Sequence, residues 1–435
     1  MSMLSDRRVL AIAIPIVLSN ATVPILGAVD TAVVGQLGQA APIGAVGLGA
    51  VILSAFYWFF GFLRMGTTGL AAQSIGAKDT SETNAILWRV ILIGLGAGAV
   101  LIVAQSLLFM AAFSIAPASA EVESLTHTYM RIRIWSAPAA IALYGLNGWL
   151  IAHERTRAVF VIQLVMNGLN IGLDLWFVLG LDYGIEGVAF ATVIAELIGF
   201  ALAIWLCRSA IFGQFQVIKD RLLAAAPLRH MFNVNSDILV RTLCLQVIFV
   251  SFTMLGSGLG DVSLAANQVL LQFLYITAYA LDGFAFAAEA LVGQALGAKN
   301  KALLRRSAIL CSKWGGISVI LLSLSFAIWG GTLIDLMAKD TAVQIEARHY
   351  LIYMILAPSL GIASWMLDGI FIGATQTRDM RNMMILSMGI YLVSVAILLP
   401  SLGNHGLWIS MLISFVARGV TLGLRYPRIE QRAEA

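Results

Sequence analysis

The 435-residue chain is 60% hydrophobic and 11% charged, with a mean hydropathy of +0.90. Soluble domains carry about 25% charged residues, and a soluble fold has no interior large enough for this much apolar side chain. The formal charge of +4 and the pI near 9.0 come from short loops rather than from one basic face, so they make no case for nucleic-acid binding.

Apolar stretches of about 20 residues, long enough to cross a ~30 Å hydrocarbon core as helices, recur along the whole chain. In chain order they lie near 9–37, 43–70, 85–110, 128–152, 158–181 and 188–206. After a polar stretch at 208–230 they resume near 231–254, 264–296, 307–333, 350–372, 384–399 and 407–424. The expectation is an all-α integral membrane protein with twelve transmembrane helices in two pseudo-symmetric six-helix lobes. Arg7-Arg8 before an apolar run imitates a signal peptide, but the run continues through Pro24 and Asp30, too far for a cleavable segment.

Loop charge orients the helices. Arg7, Arg8, Lys78, Arg89, Arg155, Arg157, the 208–230 stretch, the basic residues of 299–313, Arg378, Arg381 and those of 425–432 fall on one side. Glu121, Glu123, Asp182, Glu186, Asp261, Asp335 and Asp340 fall on the other. By the positive-inside rule the first side is cytoplasmic and holds both termini.

The two halves repeat. Gln73-Ser-Ile-Gly76-Ala77-Lys78 returns as Gln294-Ala-Leu-Gly297-Ala298-Lys299, and Asn147-Gly148 with Thr156-Arg157 returns as Asp368-Gly369 with Thr377-Arg378. Gly35 returns as Gly256, and every pair is 221 residues apart. A duplicated set of membrane spans is the plan of many transporters. It divides the chain into an N-lobe (1–207), a cytoplasmic inter-lobe linker (208–230) and a C-lobe (231–435).

Motifs of other classes fail on context. Gly258-Leu-Gly-Asp261 matches a string of intramembrane aspartyl proteases, but Asp261 sits in an expected outer loop and no Tyr-Asp partner occurs. His153-Glu154 lacks the second histidine of a zinc-protease helix. The glycines of Gly94-Leu-Gly-Ala-Gly98 follow no strand and read as close helix packing. Cys207, Cys244 and Cys311 are isolated, so neither a disulfide framework nor a metal site is expected. No P-loop sequence for direct ATP use occurs, and no nucleophile–base constellation points to an enzyme.

Ionisable residues inside a membrane are expensive and mark function by default. Asp30 lies in span 1, Arg64 in span 2, Asp174 in span 5, Glu196 in span 6, Asp237 and Arg241 in span 7, Asp282 and Glu289 in span 8, and Asp368 in span 10. Asp30 and Asp174 both belong to the outer half of the membrane. Asn167, Asn170 and Asp174, spaced i, i+3, i+7, share one stripe of span 5. Tyr129 and Thr192 lie at compatible depth, so spans 1, 4, 5 and 6 could enclose one hydrated pocket centred on Asp30. Asp237 with Arg241, Glu289 and Asp368 lie nearer the cytoplasmic ends, where ion pairing and snorkelling compete with substrate contact. Arg64 and Arg241 are the arginines placed clearly within spans. Pro24 removes a backbone hydrogen bond and Gly27 weakens the same turn, so a kink is expected just before Asp30, either static or controlled by protonation.

These residues resemble the MATE (multidrug and toxic compound extrusion) transporter family over essentially the whole chain. Ser19-Asn20, Pro24, Val29-Asp30-Thr31-Ala32 and Gly35 look like its first helix, and the paired Gly-Ala-Lys strings and Leu367-Asp368-Gly369 extend the likeness. More narrowly, the chain is similar to the DinF-like branch. That resemblance implies that Asp30, Asn170, Asp174 and Thr192 form a cation-coupling set, open to proton or sodium, with Asn20, Pro24, Tyr129, Asn147 and Asn167 in support. The NorM-like branch places a glutamate in helix 7, where the repeat puts Ser251, so a coupling site of that type is not expected in the C-lobe. The roles of Asp282, Glu289 and Asp368 stay open.

The activity implied is that of a secondary active multidrug efflux antiporter, working by alternating access. It would export amphipathic, often cationic compounds in exchange for protons or sodium, with Asp30 as the coupling carboxylate. No cofactor is expected beyond the ion gradient; the partners are small-molecule drugs, protons or sodium, and membrane lipid, and a monomer is the expected state. The alternative is a flippase for a lipid-linked saccharide, which would want a cationic cavity for a pyrophosphate that Arg64 and Arg241 alone scarcely supply.

Overall fold

The structure is a computed structural model that describes residues 4–36, 40–116, 118–212 and 221–434. Among the described residues there are no strands, and twelve helical segments are long and apolar enough to cross a membrane. They are α1 (Asp6–Gly35), α2 (Ala40–Trp58, continued past a 3-10 turn as Phe62–Gly76), α3 (Thr80–Ile115) and α4 (Ala120–Arg133, continued past a second 3-10 turn as Ala137–Ala152). Then come α5 (Thr156–Asp174), α6 (Gly184–Leu206), α7 (Ala225–Ser257), α8 (Asp261–Gly297), α9 (Lys301–Met337), α10 (Thr341–Gly373), α11 (Thr377–Leu402) and α12 (Asn404–Arg432). Several run past the apolar stretches that mark them; α8 and α9 have 37 residues each, about 55 Å against a ~30 Å hydrocarbon core. Val103, Ile115 and Leu336 are exposed, as suits side chains that face lipid.

The 221-residue offset governs the backbone even where residue types differ. Asp79 caps α3 by accepting from the Glu82 amide at 3.0 Å, and Asn300 caps α9 from the Leu303 amide at 2.9 Å. Ser119 caps α4 and Asp340 caps α10 in the same way. Left-handed residues ending helices pair likewise: Lys78 with Lys299, Glu154 with Thr375, and Asp182 with Gly403.

Contacts group the chain into two compact units. One contains Met1–Val17, Thr68–Lys78 and Ala226–Ala435; the other contains Leu18–Thr67 and Asp79–Ala225. Chain order alone would put residues 1–17 and 68–78 in the N-terminal lobe, whereas by contact they join α7–α12.

Glycine explains that grouping. In the first unit a Cβ on Gly76 would overlap the Gln294 carbonyl, and one on Gly297 would overlap the Gln73 carbonyl. The duplicated Gln-x-x-Gly strings are therefore each other's packing surface, where the ends of α2 and α8 cross. Gln73 Nε2 adds bonds to the Gly373 carbonyl and to Thr375 Oγ1, both at 2.9 Å. The start of α1 docks on α8 at Gly283, which faces the Ala13 carbonyl. The repeated Asn-Gly and Asp-Gly pairs work similarly inside their own units: Gly148 lies on the Arg64 carbonyl, and Gly369 on the Ala285 carbonyl. Gly94 and Gly98, read as packing glycines, meet the backbones of Ala142 and Pro138.

Of the linker read at 208–230, residues 213–220 lie outside the described residues. On its near side Arg208–Phe212 is a short helix. On its far side Arg89 of α3 donates to the carbonyls of Arg221 (2.5 Å) and Leu222 (3.1 Å) while pairing with Glu82 at 2.6 Å. Arg89, counted among the loop charges, is in fact buried, because its guanidinium is held by these two carbonyls and by Glu82. Arg221 in turn holds both oxygens of Asp79, at 2.8 and 2.6 Å. Burial works to raise the Asp79 carboxyl, but the Arg221 guanidinium together with the Glu82 and Ser81 amides outweighs it and holds the group below the usual carboxylate range. The pair is 45% and 41% exposed, so Asp79→Asn is expected to cost less than about 1 kcal/mol at neutral pH. With the folded pKa depressed, that contribution is present above the unfolded value near 3.9 and disappears as pH falls through the folded one. Melting curves of the two proteins should therefore converge in acid.

Candidate functional site

The second unit brings Asp30 of α1 to Asp174 of α5. Asp174 is fully buried and is the last α-helical residue before a π-helical stretch, Leu175–Gly180; such wide turns recur at functional positions. The neighbours that act electrostatically on Asp30 are the Asp174 carboxyl, within hydrogen-bonding range, and the Arg133 guanidinium of α4. Asp174 in turn feels the Asp30 carboxyl and the same Arg133 guanidinium.

The helical stripe of α5 fixes this arrangement from both sides. Asn170 Nδ2 donates to Thr192 Oγ1 of α6 at 3.1 Å, and Thr192 Oγ1 donates to the Val188 carbonyl at 3.0 Å. Asn167 Nδ2 donates to Thr22 Oγ1 of α1 at 2.8 Å, and accepts at Oδ1 from Gln163 at 3.0 Å. Four oxygens are left buried without a donor: Asp30 Oδ1, Asn170 Oδ1 and both oxygens of Asp174. Two carboxyl groups in contact away from water cannot both be charged unless a cation lies between them. The donor-less oxygens suit either a proton or a small monovalent cation.

Arg133 is the counterweight. It pairs with Glu196 of α6 at 3.3 Å, its carbonyl accepts from Tyr57 at 3.2 Å, and its guanidinium lies 6.0 Å from the Tyr129 ring centroid. The 3-10 turn Ile134–Ser136 follows it directly.

The expected set of Asp30, Asn170, Asp174 and Thr192 is thus brought together. Tyr129 is buried beside it, its ring against Gly49, and Asn167 is one step removed, on Thr22. Asn20 is half-buried and Pro24 exposed; α1 is helical through Pro24 from Asp6 to Gly35. The Thr31 side chain lies outside the described residues. Asn147 has a buried, donor-less Oδ1 on α4, and no contact among the described residues brings it to the acid pair. Sequence reasoning missed Thr22, Tyr57 and Arg133; the i, i+4 spacing of Tyr129 and Arg133 was the available signal. Gly27 has open space where a Cβ would lie. Gly27→Ala is therefore expected to fold and to melt slightly higher, by the ~0.5–1 kcal/mol that a helical alanine gains over glycine; a drop in melting temperature would contradict this.

Asp237 and Arg241, read as lying where ion pairing competes with substrate contact, are both paired, but not with each other. Asp237 binds Arg381 at 2.6 Å and accepts from Thr377 Oγ1 at 3.0 Å, while Arg241 pairs with Asp368. Nor are Arg64 and Arg241 the only arginines within spans: Arg89, Arg133 and Arg418 are there too, each beside a carboxylate on its own or a neighbouring helix. Ser251, the repeat counterpart of Asp30, donates to its own helix at Ile248 and lies 3.5 Å from the Tyr391 hydroxyl.

Twelve membrane-crossing helices, a duplicated plan and a buried acid pair define a membrane transporter. The chain belongs to the MatE family, whose model matches residues 15–176 and 238–398. It is 37% identical to DNA damage-inducible protein F of Escherichia coli (strain K12), over 98% of this chain and 92% of that one. It is 24% identical to the probable multidrug resistance protein NorM of Pasteurella multocida (strain Pm70), over 99% and 95%. In fold it is similar to the Vibrio cholerae MATE transporter VcmN in the bent form, with a TM-score of 0.89 at 21% identity over 98% and 97% of the two chains. The outward-facing conformation of a multidrug resistance MATE family transporter of the MOP superfamily gives 0.84 at 18% over 99% and 97%.

Proposed function

We propose that the protein is a proton-driven exporter of amphipathic, often cationic compounds in a bacterial cytoplasmic membrane, working as a monomer with both termini cytoplasmic. The observation that carries this reading is the Asp30–Asp174 contact with its donor-less oxygens. The name of the Pasteurella multocida relative, a multidrug resistance protein, supports the substrate class. The burial of Asp174 supports the proton over sodium: a carboxyl held away from water is least costly in its neutral, protonated form. A proton arriving from outside removes negative charge from the pair and releases a bound cation; losing that proton inward restores the charge and the affinity. Asn170, Thr192 and Asn167 hold the acids in register in both forms.

Transport into proteoliposomes, with pH and sodium gradients imposed separately, tests this. A pH gradient alone should drive accumulation of a cationic dye, and a sodium gradient alone should not. Drive by sodium alone would make the same oxygens a sodium site, and drive by neither would remove the coupling role.

A further inference from the structure

We infer that the first compact unit holds an anion-binding site, built on Arg241 of α7 and Arg418 of α12, for a carboxylate-class group on a transported compound. The class of the compound rests on the export reading; the binding itself does not.

Arg241, Arg418 and Asp368 are 7%, 3% and 5% exposed. Both arginines share one carboxylate oxygen: Arg241 pairs directly with Asp368 Oδ2, and Arg418 Nη1 lies 3.7 Å from the same atom. The rest of Arg418 has only weak or neutral company. Its Nη2 donates to Ser364 Oγ at 2.8 Å, its Nη1 lies 3.8 Å from Met384 Sδ, and the Phe415 ring centroid is 6.0 Å away. The charges that act on Arg418 are those of Asp368 and Arg241. The nearest other acid along α7, Asp237, is already held by Arg381 and Thr377. Two buried guanidinium groups therefore face one carboxylate.

Arginine cannot discharge this excess by losing a proton, and a membrane interior offers no bulk water to solvate it. The charge balance calls for one more anion. The donors for it are present: the Nε–H of each arginine is buried and makes no hydrogen bond, and Asp368 Oδ1 accepts none. A guanidinium presents a planar fork of N–H groups matched to the two oxygens of a carboxylate. Asp368 engages both guanidinium groups through a single oxygen and leaves the Nε–H of each unused. In this arrangement Asp368 holds the two forks together and competes with the incoming anion, which explains a carboxylate at a position where no second acid accompanies it.

The probes are naphthalene-2-carboxylate and its uncharged amide, which differ in charge but scarcely in size. They are titrated calorimetrically into the purified full-length protein in low- and high-chloride buffer. The wild type should bind the carboxylate about tenfold more tightly than the amide, at either chloride level. Arg418→Gln should reduce that preference to within about twofold, Arg418→Lys should retain part of it, and Asp368→Asn should strengthen it by removing the competing carboxylate. Equal binding of the two probes by wild type, or an undiminished preference in Arg418→Gln, would overturn the site. If Arg418→Gln does not fold, an Asp368→Asn protein with unchanged carboxylate affinity overturns it instead. Chloride that displaces the carboxylate from wild type would assign the site to an inorganic anion and overturn the transported-compound assignment. None of these outcomes depends on a gradient, so failure of proton coupling in proteoliposomes leaves this test intact.

Discussion

Asp174→Asn and Asp30→Asn are each expected to lower drug export at least about a hundredfold while leaving membrane abundance and melting temperature at or above those of the wild type. The two effects share one cause. Asp174 is fully buried, neither of its oxygens receives a hydrogen bond, and its immediate neighbour is another acid. An asparagine of the same shape supplies an N–H to the remaining carboxylate and removes the like-charge contact, which helps the folded state. On the proposed mechanism it also removes the group that exchanges a proton for a cation. Resistance assays at matched expression, with transport in proteoliposomes, measure the loss. Full export by either variant would take the coupling role away from the pair. Asp368→Asn should impair export of cationic compounds less than Asp174→Asn does, because Asp368 serves arginines rather than a second acid.

Gly76→Ala and Gly297→Ala should have the largest effects on folding. At each position the added methyl would overlap a backbone carbonyl, that of Gln294 or Gln73. Backbone held where two helix ends cross cannot step aside as a flexible side chain can. Overpacking of this kind costs about 1–3 kcal/mol or more, and the crossing is closed from both sides, so either substitution should lower the detergent melting temperature and the yield of monodisperse protein. Gly35→Ala is the control: nothing lies within 4 Å of its Cβ position. Equal melting temperatures for the Gly76→Ala and Gly35→Ala proteins would mean that the α2–α8 crossing is not where the unit is held.

The fold was legible because its signals are of the kind that survive in one sequence. Twelve apolar runs need no partner to be seen, and the Gly-Ala-Lys strings repeat because a helix crossing without a Cβ tolerates little else. Asn167, Asn170 and Asp174 could be placed together because helical spacing is a local property. Much of the duplication was hidden for the converse reason. A helix N-cap accepts Asp, Asn or Ser alike, so Asp79 and Asn300, or Ser119 and Asp340, share a position without sharing a residue. Left-handed helix ends tell the same story at Glu154 and Thr375, where geometry is kept and side chain is not. Charged partners from distant helices were the least visible. Arg133 stands two residues from exposed Arg131 and looks like part of a membrane border. Only the fold shows that Glu196 of α6 draws it inward. Arg418 is a single arginine in an apolar span, and its use appears only when α10 brings Asp368 and Ser364 to it.

The most direct measurement of the central claim is the number of protons released when a cationic probe binds. Ethidium would be titrated calorimetrically into purified protein in buffers of different ionisation enthalpy, between about pH 6 and pH 8. A pair that exchanges its proton for a cation should release close to one proton per ethidium bound in wild type, and none in Asp30→Asn or Asp174→Asn. Ethidium binding without proton release in wild type, or with the same release in both variants, would contradict the account.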